Sequence, residues 1–154
     1  MLKITIRIFR VIRVFRGLKA ISMNSKILYA DESYLIMKAC FEVYKRMGCG
    51  FLEPVYQECL QIELNLLSVP FKSQVELPII YRDQKTTHMY KADLICFNKI
   101  IVELKAVSLL IDEHRAQVLN YLNATGLQLG LLINFGHHPK LEYERFILTK
   151  SSTV

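Results

Sequence analysis

No apolar run in this sequence reaches the roughly 18 residues that a bilayer-spanning helix needs, so stable membrane insertion is not expected. The four cysteines, Cys40, Cys49, Cys59 and Cys96, form no CxxC pair and no zinc-like spacing. The chain shows no secretory signal, so its thiols are expected to be reduced and the protein cytoplasmic. There is no internal repeat and no low-complexity linker. Disorder is excluded by an apolar fraction of 52%. A chain of 154 residues fits one domain with a sizeable core.

Acidic residues are missing from one region only. Residues 1–30 hold seven basic side chains (Lys3, Arg7, Arg10, Arg13, Arg16, Lys19, Lys26) and no acid. The other 124 residues hold 13 basic and 14 acidic, a net of −1 against +6 for the whole chain. Bulk electrostatics therefore do not make the remainder a basic nucleic-acid binder; such contact needs a local patch or a metal. From Arg7 to Lys19 a basic residue recurs every third position, a period that fits neither helix nor strand. The segment resembles an organelle-targeting peptide in composition and would also serve as a membrane-surface or nucleic-acid-binding arm. The preferred reading is an extension, residues 1–25, that is not part of the fold, with Met23 as an alternative start. Residues 26–150 then form the domain and 151–154 a tail.

What the sequence does hold centres on Lys91–Lys105. Two apolar, β-branched runs flank a polar break at Asn98-Lys99, the pattern of a hairpin. Both strands are almost continuously apolar, so both sheet faces are expected to be covered. Asp93, Glu103 and Lys105 interrupt them, and charges in a buried strand need a partner or a task. Glu103 and Lys105, two apart, project from one face. Two carboxylates offer hard oxygen ligands suited to Mg²⁺. A lysine beside them would orient an attacking water or stabilise a phosphoryl transition state. The plainer alternative is an ion pair at a sheet edge. Loop length discriminates. A two-residue loop pairs Asp93 with Leu104 and sends Asp93 and Glu103 to opposite faces. A shared site requires an odd-numbered loop or a bulge.

Around this hairpin the periodicity predicts a helix over Ser33–Met47, with Leu35, Ile36, Ala39, Cys40, Val43 and Met47 as its stripe. Asp31 or Ser33 would cap it, and Gly48 and Gly50 would end it. A second helix runs from Phe51 or Pro54 to Leu67, with Glu53, Tyr56, Gln57 and Leu60 on one face. Ser73–Arg82 reads as a strand and Asp83-Gln84-Lys85 as a turn. A third helix covers Ser108–Thr125 and stops at Gly126. Ala116, Leu119 and Leu122 would be buried there, with His114, Gln117 and Tyr121 on a neighbouring face. Strands at Leu127–Phe135 and Glu144–Thr149 complete an α/β architecture. Its order is α-α-β-β-β-α-β-β, with a central mixed β-sheet flanked by helices.

Several of these residues together resemble a known family. Gly50-Phe51-Leu52-Glu53-Pro54-Val55-Tyr56 matches a GxxExxY pattern. Asp93, Glu103-Leu104-Lys105 and a QxxxY pair, Gln117 and Tyr121, follow in order, then a Gly130–Gly136 run of similar character. The chain is similar, over about residues 26–149, to the GxxExxY proteins, a branch of the PD-(D/E)XK nuclease superfamily. Ala92 stands where the superfamily's name has proline. The resemblance implies a restriction-endonuclease-like core. It implies a Mg²⁺ site (Mn²⁺ as substitute) using Asp93, Glu103, Glu53 and the Leu104 carbonyl. Lys105 would assist the nucleophile, and Gln117 and Tyr121 would line the site. The implied function is hydrolysis of nucleic-acid phosphodiester bonds, DNA first. Given the −1 balance, a homodimer or the basic arm would supply the missing grip. The rival is a nuclease-like fold kept as a binding or protein-interaction module. Tyr56 reads equally as a core tyrosine, and His137-His138-Pro139 as a solvent-exposed loop.

Overall fold

The computed structural model describes residues 5–9 and 27–149. From Ala30 onward the expected order α-α-β-β-β-α-β-β is the order found. The elements are β1 (Thr5–Phe9), α1 (Ala30–Met47), α2 (Glu53–Leu66), β2 (Phe71–Tyr81) and β3 (Gln84–Cys96). They continue with β4 (Ile100–Lys105), α3 (Asp112–Thr125), β5 (Leu129–Asn134) and β6 (Glu142–Thr149). One mixed sheet runs β1-β6-β5-β4-β3-β2, parallel between β4 and β5 and antiparallel elsewhere. Thr5–Phe9, inside the segment read as an extension, lies against β6 at the sheet's edge. The rest of that segment, Met23 included, and the tail 151–154 lie outside the described residues. Among the described residues no helix is long and apolar enough to cross a membrane.

The sheet divides two apolar layers. On one face α1 and α2 bury Ile36, Ala39, Cys40, Val43, Tyr56, Leu60 and Leu64 against Leu94, Ile100, Val102, Leu104, Leu131 and Ile133. On the other, α3 lays Val118, Tyr121 and Leu122 over Ala92, Ile95, Ile101, Leu132 and Phe146. Strand alternation assigns the faces: even-numbered β4 residues point to α1 and α2, odd-numbered ones to α3. β5 is buried along its whole length, as its unbroken apolar run requires.

Several local expectations shift. α1 begins three residues before Ser33, and neither Asp31 nor Ser33 caps it. Ser33 instead lies inside the first turn and donates its hydroxyl to the Tyr29 carbonyl at 2.7 Å. Gly48, at φ 69°, ends the helix as expected, its N–H returning to the Tyr44 carbonyl. The turn after β2 is Arg82-Asp83, both at positive φ, and β3 starts at Gln84. That two-residue geometry matches the twist of the flanking strands. α3 starts at Asp112, and its buried line is Val118, Tyr121 and Leu122, with Ala116 exposed. The cause is close approach to β5: a Cβ on Gly130 would lie 2.5 Å from the Val118 side chain, so that face of α3 is drawn onto the sheet.

Candidate active site at the forked strands

The β3–β4 connection decides whether a site exists. Cys96 pairs with Ile100, Ile95 with Ile101 and Leu94 with Val102, leaving a three-residue loop, Phe97-Asn98-Lys99. Phe97 and Asn98 both take φ 55°, and the Lys99 N–H closes on the Cys96 carbonyl at 3.0 Å. Continuing this odd-loop register by one step sets Asp93 opposite Glu103, the arrangement a shared site requires. There the ladder ends and the strands fork. The Asp93 carboxylate takes the place of a backbone partner: its Oδ2 accepts the Leu104 N–H at 2.8 Å.

Glu103 is 2% exposed and Asp93 8% exposed, so both are carboxylates taken largely out of water. Lys105 donates from Nζ to Glu103 Oε1 at 2.7 Å. Glu103 Oε2 is buried and has no hydrogen-bond partner. Burial pushes the Glu103 carboxyl up to about 7; nearby Asp93 pushes the same way, and the Lys105 ammonium pulls against both. A buried polar atom without a partner is uncommon in folded proteins and asks for an explanation.

Other elements close round the fork. Glu53, at the first turn of α2, is half-buried; burial raises its pKa, Lys105 lowers it and Asp93 raises it, so it shares the field of the pair. From α3, Tyr121 donates its hydroxyl to the Lys91 carbonyl at 3.0 Å and accepts from Gln117 Nε2 at 2.6 Å. Burial, aided by Glu103 and Asp93, drives the Tyr121 hydroxyl up to about 12, so it remains a neutral O–H. His114 lies two turns before Tyr121; burial and then Lys105 hold its pKa down, and its Nδ1 accepts the Ile111 N–H at 3.2 Å.

The structure thus gathers Asp93, Glu103, Leu104 and Lys105 directly, with Glu53, Gln117 and Tyr121 around them. Among the described residues no three His, Cys, Asp or Glu side chains converge tightly enough to cage an ion alone. The donor set is two carboxylates, one with an unpartnered oxygen, plus a third within electrostatic reach. That set fits a hard divalent cation sharing its remaining ligands with water and substrate, the usual habit of Mg²⁺. Tyr56 proves structural: fully buried, it donates to the Gly48 carbonyl at 2.8 Å, accepts the Phe51 N–H at 3.2 Å and stacks on Phe135. His137 and His138 sit in the β5–β6 loop, where the Tyr44 hydroxyl donates to the His137 carbonyl at 2.6 Å and His138 is exposed. Two residues were missed by sequence reasoning. Gln74 of β2 donates to Asp93 Oδ1 at 3.3 Å and to Gln57 Oε1 at 3.0 Å. No sequence signal marks Gln74; Gln57 was visible only as a neighbour of Glu53 on the helix face.

A mixed sheet with helices on both faces and an Asp…Glu-x-Lys set at its forked centre defines a restriction-endonuclease-like α/β domain. The family model of the PD-(D/E)XK nuclease superfamily matches residues 30–146, and the chain belongs to that superfamily. Its members generally use divalent metal ions. No curated protein matches the chain. A solved structure, titled "Crystal structure of SSO0001", is similar at 19% identity with a TM-score of 0.49. The match covers 64% of this chain and spans half of that protein's length, 50%.

Proposed function

We propose that this chain is a metal-dependent nuclease of the GxxExxY branch that hydrolyses phosphodiester bonds of nucleic acid, DNA in the first place. Mg²⁺ would be its working ion and Mn²⁺ a substitute. One observation carries the reading: a buried, unpartnered Glu103 oxygen beside a second carboxylate and a lysine. A cation would find there a carboxylate oxygen that no protein donor occupies.

Asp93 and Glu103 would hold the ion, with Glu53 as a further ligand. Leu104 would add its carbonyl. In a strand a residue's N–H and C=O leave by the same edge, and the Leu104 N–H is turned towards Asp93. The ion, when bound, supplies Lewis acidity that offsets phosphate charge and acidifies water. Lys105 donates to the Glu103 carboxylate and would orient the attacking water or stabilise charge on the phosphate. Tyr121, as a neutral hydroxyl locked by Gln117 and the Lys91 carbonyl, would wall the site. Residues 26–150 would form this nuclease domain, with 1–25 an extension, in a cytoplasmic setting. The −1 balance of residues 31–154 calls for extra grip on DNA, from a homodimer or the basic arm.

That same balance favours the second reading, a nuclease-like module that binds without turnover. The deciding experiment is cleavage of linear, circular and single-stranded substrates with Mg²⁺ or Mn²⁺, with Lys105→Ala as the control. Metal-dependent products lost in the variant support the enzyme. No products with any divalent ion, together with no measurable Mg²⁺ binding, leave the binding module.

A further inference from the structure

Asp93 is held at both carboxylate oxygens, and one of the two holders is strained. Oδ2 takes the Leu104 N–H at 2.8 Å. Oδ1 takes the Gln74 side-chain amide at 3.3 Å. The second hydrogen of that amide goes to Gln57 Oε1 on α2 at 3.0 Å. Gln74 stands at φ 53°, the left-handed region that L side chains avoid. Around it the strand turns over. Phe71 packs with α1 and α2, while Val75 and Leu77, of the same parity, pack under α3. On β3 the same switch falls at Asp93, between Leu94 and Ala92. The ladder registers Ser73 with Leu94 and Val75 with Ala92, so Gln74 and Asp93 are opposite one another at the switch.

Glycine would make this turn without strain. What glutamine adds is the amide, and the amide goes to a carboxylate of the proposed metal site. We infer that Gln74 is a positioning residue: it carries backbone strain in order to tether Asp93 to α2 through Gln57. The inference rests on the nuclease reading for its consequence, though the tether itself is independent of that reading. Residues that orient metal-binding carboxylates typically change affinity or activity by about 10- to 100-fold when removed.

The test compares Gln74→Gly with Gln74→Ala. Both lose the amide, but only the alanine keeps the strain, so the glycine variant should unfold about 2–4 °C higher. Both should bind Mg²⁺ alone about 10-fold more weakly and lose about 10-fold in kcat, with KM for DNA little changed. A glycine variant that cleaves like the wild type, or an activity loss that follows unfolding temperature, would overturn the inference. A second readout needs neither metal nor turnover. In the metal-free protein the Gln74 side-chain amide signals should be displaced from free-glutamine positions by NMR and should move in Asp93→Asn. Free-glutamine signals that ignore Asp93→Asn overturn the tether outright. Displaced signals in a protein that neither binds Mg²⁺ nor cleaves DNA uphold the tether and remove the nuclease reading alone.

Discussion

Among the described residues two ion pairs hold a buried glutamate, Glu144 and Glu103, and their difference separates structure from chemistry. Arg115 of α3 grips Glu144 of β6 with two hydrogen bonds, 2.9 Å from Nε and 2.8 Å from Nη2, and reaches Asp112 at 2.9 Å. Both Glu144 oxygens are engaged, and the pairing pushes the guanidinium pKa upward. At the fork, Lys105 reaches one oxygen of Glu103 and the other has nothing. The first cluster is complete and can only hold α3 to the sheet. The second holds two carboxylates against one ammonium; burial, and then Asp93, push its Glu103 carboxyl pKa up against the pull of Lys105. A satisfied pair is a fastener; an unsatisfied one is prepared for a ligand.

Breaking the finished cluster should cost most. Glu144→Ala leaves Arg115 only the exposed Asp112 as an acidic partner and should destabilise the fold by about 3 kcal/mol. Residual folded protein should keep its metal response, as denaturant titration and cleavage assays on one sample would show. If Glu144→Ala instead left stability untouched and abolished cleavage, the two clusters would have exchanged roles.

Lys105→Ala should do the reverse. Cleavage should fall by about 10²-fold or more, while Mg²⁺ binding persists or tightens because a competing cation is gone. Asp93→Ala should lose binding and cleavage together. Calorimetric Mg²⁺ titration and single-turnover kinetics distinguish the two, and equal loss of binding in both variants would contradict a chemical role for Lys105.

pH sharpens the contrast at the unfinished cluster. Glu103 ionises near 4.5 when unfolded and about 7 when folded, so between those values the folded state binds the extra proton. The contribution of Glu103 to the stability of the metal-free protein should therefore be fully present below the lower value. It should decline as pH rises towards 7 and level off above it, by up to about 3 kcal/mol in all. Glu103→Gln should flatten that slope, and Mg²⁺ should flatten it in the wild type. A metal-free wild-type curve that rises between pH 5 and 7 relative to Glu103→Gln would show that Lys105 outweighs burial and Asp93 at this carboxyl.

The smallest effect is expected at the sheet's edge. Deleting residues 1–25 should shift the unfolding temperature by less than about 2 °C and leave cleavage unchanged. A larger shift would show that the Thr5–Phe9 strand adds to stability. Lost DNA affinity with a shallower salt dependence would make the arm the grip.

Much of this comparison was legible from sequence. Periodicity placed every element after Ala30, because long apolar stripes and the glycines at 48 and 126 are strong local signals. The residues around the fork were legible as charges interrupting an apolar strand. The loop length was not: Phe97 is as apolar as the strand before it, and nothing local says that it will adopt φ 55°. Gln74 is silent for the same reason, since glutamine has no preference for the left-handed region it occupies. The α3 stripe went astray because its orientation is set by Gly130, on another strand. Thr5–Phe9 was unreadable because a basic period of three hides a strand's period of two. Arg115–Glu144 joins residues 29 positions apart, a pairing that only the sheet order explains.

Just past Lys105 the chain leans on a residue without a side chain. A Cβ on Gly136 would sit 2.4–2.6 Å from the Ala106–Val107 backbone, and Asn134 Oδ1 pins both the Val107 and Gly136 N–H groups at 3.0 Å. Gly136 is thus required for room rather than for an unusual φ. For anyone mapping mutational tolerance, it is a neutral residue outside the charge cluster through which even alanine would push on the segment that anchors the lysine. A survey that scored only polar residues would pass over one of the least replaceable positions in the domain.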